Sequence, residues 1–155
     1  MWKKWVSLLL LSVLLISGAV AEGKDIVLNM PESLTEMEEN DCERVCMSLD
    51  GETRIEILTL EGSEEERCGE VFLEELCELR TNCPESFEIA VLSEEPFEGC
   101  PAKRVAYTYE IGDGMTYRAQ AMAIWTEKTT FVVFVLGEDE AFTDAVFAAL
   151  TLSED

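Results

Sequence analysis

Apolar positions along the chain alternate at two different periods, and the switches between them mark the elements. Asp25–Pro31, "DIVLNMP", reads as a short strand stopped by proline. The acidic "ESLTEMEENDCE" that follows has no usable period and reads as irregular. "RVCMSLDGETRIEILTLEG" predicts a hairpin. Asp50-Gly51 sits between two alternating runs and suits a tight turn with positive φ. Val45, Met47 and Leu49 share a face on one arm, Ile55 and Ile57 on the other. The period then changes to that of a helix in "SEEERCGEVFLEELCELRTNCP". Ser63 is placed to cap it, with Glu66 at capping-box spacing. At 100° per residue Cys68, Val71, Phe72, Leu76 and Leu79 form the inner face, and Leu73 and Cys77 point elsewhere. Asn82 and Pro84 mark the stop.

Four more strands follow. Phe87–Leu92 is the first, then an irregular stretch through Gly99. "RVAYTYEI" puts Val105, Tyr107, Tyr109 and Ile111 on one face, and "GDG" turns the chain. "MTYRAQAMAIW" aligns Tyr117, Ala119, Ala121, Ala123 and Trp125. A row of alanines on a strand predicts another element pressed close against it, here a helix. "FVVFVL" is apolar on both faces, which a strand tolerates only when it is central and covered on both sides. "EDEAFTDAVFAAL" closes the chain as a helix whose C-terminal half is apolar nearly all round, which predicts deep docking or a partner. The order is strands, helix, four strands, helix. It predicts an α+β domain: an antiparallel sheet of about six to seven strands with helices on both faces.

The first residues fall outside that pattern. "MWKKW" is positive, Val6–Ile16 is apolar, and Ala19-Val20-Ala21 are small residues of the kind a signal peptidase reads. Residues 1–21 therefore read as a cleaved signal peptide and 22–155 as a single domain. The competing reading is an uncleaved anchor, but the apolar run is shorter than the roughly 20 residues a spanning helix needs. No later run is long enough, so no membrane span is expected after cleavage. The expected location is secreted or otherwise extracytoplasmic.

Charge narrows the partners. The 155 residues carry a formal net charge of −22, and loss of the leader, with its two lysines and no acid, makes it more negative still. Such a surface repels nucleic acid and anionic membrane and favours cationic partners or divalent ions. It also serves plain solubility.

At this point the residues resemble a known family. "IVLNMPESL" is similar to the opening strand of the PsbP-like group, which also takes in DcrB-type exported proteins and Mog-type Ran-binding proteins. A helix follows the first hairpin, as it does there. "FEGCPAKRVAYTYEIGDGMTYRAQAMAIWTEKTTFVVFVL" resembles the group's strand meander, and "EDEAFTDAVFAALTL" its closing helix. The resemblance runs from Ile26 to Ser153 and lies in the order of elements. It implies an αβα sandwich and an accessory or binding role rather than catalysis. The cysteines and the acidity depart from the group's usual pattern. Fold alone does not set function.

The candidate chemistry is in the thiols. Six cysteines, Cys42, Cys46, Cys68, Cys77, Cys83 and Cys100, occur with no histidine anywhere. Their gaps are three, twenty-one, eight, five and sixteen residues, so the paired two-residue spacing of zinc and thioredoxin-like sites is missing. A cysteine nucleophile lacks a histidine base, and acids flanking Cys42 raise a thiol pKa rather than lower it. Export and an even count make disulfides the leading reading, with buried apolar thiols as the alternative. Cys42 with Cys46 in one extended strand, or Cys68 with Cys77 in one helix, would be too far apart to pair. Cys77 and Cys83 straddle the helix end and are the first local candidates. The acidic clusters lack a calcium-loop pattern. Tyr107, Tyr109, Tyr117 and Trp125 suit core packing better than a ligand groove. No catalytic, cofactor-binding or metal residues stand out. The expectation is a non-enzymatic exported accessory or protein-binding domain. The alternative is an extracytoplasmic small-molecule or cation-binding module, and a carboxylate-pair hydrolase is the third reading.

Overall fold

A computed structural model describes residues 34–39, 43–61 and 69–152, with no side-chain detail for 34–39 and 69–71. The leader, the Asp25–Pro31 strand, the Ser63 cap, Cys42 and Cys68 lie outside the described residues.

Among the described residues nine elements run β1 (Leu34–Glu39), β2 (Glu43–Ser48), β3 (Arg54–Glu61), α1 (Gly69–Arg80), β4 (Ser86–Ser93), β5 (Ala102–Glu110), β6 (Thr116–Trp125), β7 (Thr129–Leu136) and α2 (Glu140–Ala149). β2 to β7 build an antiparallel sheet in the order β2-β3-β7-β6-β5-β4, and β1 pairs along the outer side of β2. β1 falls in the acidic stretch that the sequence pattern leaves irregular.

The hairpin forms, but not by a two-residue turn. Ser48 N donates to Thr53 O at 2.9 Å, so Leu49–Glu52 form a four-residue loop. Gly51 takes φ 75°, the left-handed region expected of it. The Asp50 carboxylate accepts from Ser48 Oγ at 2.5 Å and from Glu52 N at 3.0 Å, which holds its pKa below the usual carboxylate range. The register sets Cys46 opposite Ile55 and Val45 opposite Glu56.

β7 lies between β3 and β6 and is buried from Thr129 through Val135, as its doubly apolar sequence requires. Buried side chains sort into two sets by alternation along each strand. One joins Leu58, Leu60, Val105, Tyr107, Ala119, Ala121, Ala123, Trp125, Val132 and Phe134 with Phe72, Leu73, Leu76 and Cys77 of α1. The alanine row thus meets α1, the close neighbour it predicts. The other set joins Cys46, Ile55, Ile57, Met122, Ile124, Phe131, Val133 and Val135 with Val146 and Phe147 of α2 and with Leu150.

Two helical details correct the sequence expectation. In α1 the buried stripe is Phe72, Leu73, Leu76 and Cys77, while Leu79 is only half-buried. Leu73 and Cys77 are core residues because the stripe runs on to Arg80. The Arg80 guanidinium lies 5.3 Å from the Phe134 ring and donates to Glu43 at 2.6 Å and to Glu56. A charged residue therefore occupies the inner face at the last turn, where apolar counting places none. Asn82 and Cys83, at φ 58° and 62°, then end the helix. In α2 only Thr143, Val146 and Phe147 are buried, and Ala145 and Ala148 face out. Alanines add little apolar area, so an apolar count overstates the docking surface. Asp139 caps α2 by accepting from Phe142 N at 3.0 Å.

Candidate functional site

β4 ends the sheet. It pairs with β5 in an unbroken register from Ser86 opposite Glu110 to Val91 opposite Val105, and a bulge then shifts the register before Ser93. Among the described residues no strand pairs with its outer side. Phe87, Ile89 and Val91 alternate with Ser86, Glu88 and Ala90, which is the period of a strand covered on one face. Phe87 and Ile89 pack against the α1 core. Cover stops beyond them, and Val91 and Leu92 are 46% and 51% exposed.

Acids surround this edge. Glu85, Glu88, Glu94, Glu95 and Glu98 are all exposed. Lys103 is buried with its ammonium 3.3 Å from Glu94. Arg104 is committed to the α2 side: its guanidinium lies 4.3 Å from the Phe147 ring and donates to Gln120 and, at 2.7 Å, to Asp144. The turn leading to β5 is tight. Phe97 and Cys100 exchange backbone bonds of 2.8 and 2.9 Å around Glu98 and Gly99, both at positive φ. The sequence pattern finds the β4 strand but treats this turn as irregular.

An aromatic row runs inward from the edge. Phe87, Tyr107, Tyr109 and Tyr117 follow one another at centroid spacings of 5.6, 6.1 and 5.4 Å, within the range of favourable ring contacts. Tyr107 and Trp125 are buried, as expected of core residues. Desolvation raises the Tyr107 pKa well above the ordinary phenol value, and its hydroxyl has no hydrogen-bond partner among the described residues. Tyr109 is raised by the same cause. Tyr117 is half-buried, and its hydroxyl donates to Asp113. That bond raises the tyrosine and, with the Met115 amide, lowers the acid.

Four of the six candidate cysteines lie among the described residues, and they do not converge. No two of Cys46, Cys77, Cys83 and Cys100 are bonded to each other. Cys46 and Cys77 are buried in different core sets, and Cys83 is exposed. The helix-end pairing of Cys77 with Cys83 is absent, because Cys77 turns into the core while the chain leaves the helix with Cys83 facing out. Burial pushes the Cys77 thiol up to about 12, with a smaller contribution from Glu74. No group of three or more acids and cysteines among the described residues is placed to hold a metal.

No family model and no curated protein matches the sequence. Solved structures do match. A Bacteroides thetaiotaomicron crystal structure is 13% identical with a TM-score of 0.52 over 87% of this chain and 50% of its own. The chain spans half the length of that protein. The solution structure of cyanobacterial PsbP (CyanoP) from Synechocystis is 10% identical with a TM-score of 0.55, over 79% of this chain and 84% of its own. These likenesses define a class of fold: the protein is an α+β domain with an antiparallel sheet similar to that of PsbP. Its resemblance to the PsbP-like group is therefore one of structure.

Proposed function

We propose that this chain is an exported, non-enzymatic accessory domain that binds another protein. The observation that carries the reading is the outer edge of β4, where Val91 and Leu92 stand about half exposed beside backbone groups that no strand pairs with among the described residues. Exposed apolar edge strands are liabilities unless they are covered. The test is capture. The mature protein, tagged and cross-linked in the extracytoplasmic fraction, recovers a reproducible partner. The Val91→Glu/Leu92→Glu double variant keeps its circular dichroism and recovers at least about tenfold less, the effect of about 1.4 kcal/mol. No reproducible partner for either protein would end the reading.

Three finer points belong to the same proposal. The alternation of the two core sets supports a layered arrangement with α1 on one face of the sheet and α2 on the other, and the pairing of β1 supports a seventh strand. The leader pattern and the acidity support export. The leader and the even count keep all six cysteines, Cys42, Cys46, Cys68, Cys77, Cys83 and Cys100, as disulfide candidates. Mass spectrometry of the secreted protein is then expected to show a start at Glu22. Under denaturing conditions fewer than six cysteines should alkylate before reduction, and all six after it. Six before reduction would remove the staples.

A further inference from the structure

We infer that the outer edge of β4 accepts an extended, cationic segment of the partner as an added strand. This rests on the protein-binding reading and names the chemistry of what binds. The unbroken register from Ser86 to Val91 gives six residues of regular edge before the bulge. A strand added about 4.8 Å outside β4 continues the sheet. Its alternate side chains on the α1 side extend the row Phe87, Ile89, Val91, which is apolar and only partly covered. The side chains between them fall on the face of Ser86, Glu88 and Ala90, with Glu88 at the centre. Strand addition of this kind draws affinity from main-chain bonds and specificity from alternate side chains.

Charge selects the occupant. Glu85 and Glu88 lie exposed along the edge and Glu95 in the loop just beyond it, while Glu94 is taken by Lys103 and Glu98 accepts from the Leu152 amide. The nearby basic groups Lys103 and Arg104 are already paired, with Glu94 and with Asp144. Arg118 is exposed on the cross-strand row Glu88–Thr108–Arg118, two strands away at about 10 Å. The edge therefore presents acid to an incoming strand, and a segment alternating apolar with lysine or arginine satisfies both of its faces. A second copy of this chain does not. It brings another net charge of −22 and another set of the same acids against this edge.

The test uses the full mature protein and a synthetic peptide of alternating valine and lysine, about nine residues long so that it spans the strand. Amide resonances of Ser86–Val91 are expected to shift on titration, with affinity falling at least about tenfold between about 0.05 and about 0.5 M salt. Two further peptides carry N-methyl groups on alternate residues, one in each phase. One phase blocks the bonds to β4 and abolishes binding, and the other leaves them free and binds. A valine–glutamate peptide of equal length does not bind. Equal binding by both methylated peptides overturns strand addition, as do shifts spread over the acidic surface away from β4. Binding of the glutamate peptide overturns the cationic assignment. A dimer in sedimentation equilibrium that Val91→Glu dissolves assigns the edge to a second copy and overturns the proposal. The protein-binding reading fails separately, by absence of any captured partner. A partner captured equally by wild type and by the Val91→Glu/Leu92→Glu variant overturns the edge alone.

Discussion

Raising the pH from 9 to 12 is expected to remove about 3 kcal/mol of folding stability through Cys77 alone. The thiol is fully buried between α1 and the sheet, against Tyr107. Burial raises its pKa from 9.0 in the open chain to about 12 in the fold. The folded state therefore holds the proton more tightly than the unfolded one. Its contribution is fully present below pH 9 and is lost as the pH climbs through 12, at about 1.4 kcal/mol per unit. Tyr107 is shifted in the same direction by the same cause and adds to the loss. The check is urea unfolding of the free-thiol protein at a series of pH values. Cys77→Ala should be somewhat less stable at pH 7, because it opens a small void, yet should lose stability less steeply above pH 9. An equally steep decline in Cys77→Ala would reject the assignment to the thiol.

Arg80→Ala is expected to destabilise the fold by about 3 kcal/mol, near the lower range for breaking a largely buried ion pair. Arg80 joins Glu43 and Glu56 and covers the Phe134 ring. Glu56 is only 8% exposed, so removing the arginine leaves its charge with Arg54 alone, bonded at 2.7 Å and half exposed on its side chain. For a domain of this size the loss lowers Tm by roughly 10 °C. Adding Glu56→Gln to Arg80→Ala should recover about half of it, because the stranded charge is then gone. Purely additive losses in the double variant would mean that Arg80 acts through packing on Phe134 and not through charge.

The same arginine explains where sequence reading stops. Helix position 80 looks like solvent-facing sequence, yet it completes the stripe of Leu73, Leu76 and Cys77, so a count of apolar residues rotates the inner face the wrong way. The sheet is far more legible. β5 to β7 keep strict alternation or unbroken apolarity, and Ala119, Ala121 and Ala123 announce the helix that packs on them. β1 is illegible because an edge strand has little to bury and its acids follow no period. The candidate site is legible only as a strand. Ser86–Ser93 shows its alternation, but which of its sides lacks a neighbour depends on pairings tens of residues away. The thiols are similar: their spacing excludes metal and redox templates, while their burial is a property of the packed sheet.

One pairing bears on the order in which this chain can become itself. β3 bonds along its whole length to β7, from Arg54 opposite Leu136 to Glu61 opposite Thr129, and everything from α1 to β6 lies between them in the chain. A polypeptide made from its N-terminus holds β2, β3 and α1 with no central strand to dock on until its final fifth has emerged. A chain that stops short of β7 carries the β2–β3 hairpin and the β4–β5–β6 meander without the strand that joins them among the described residues.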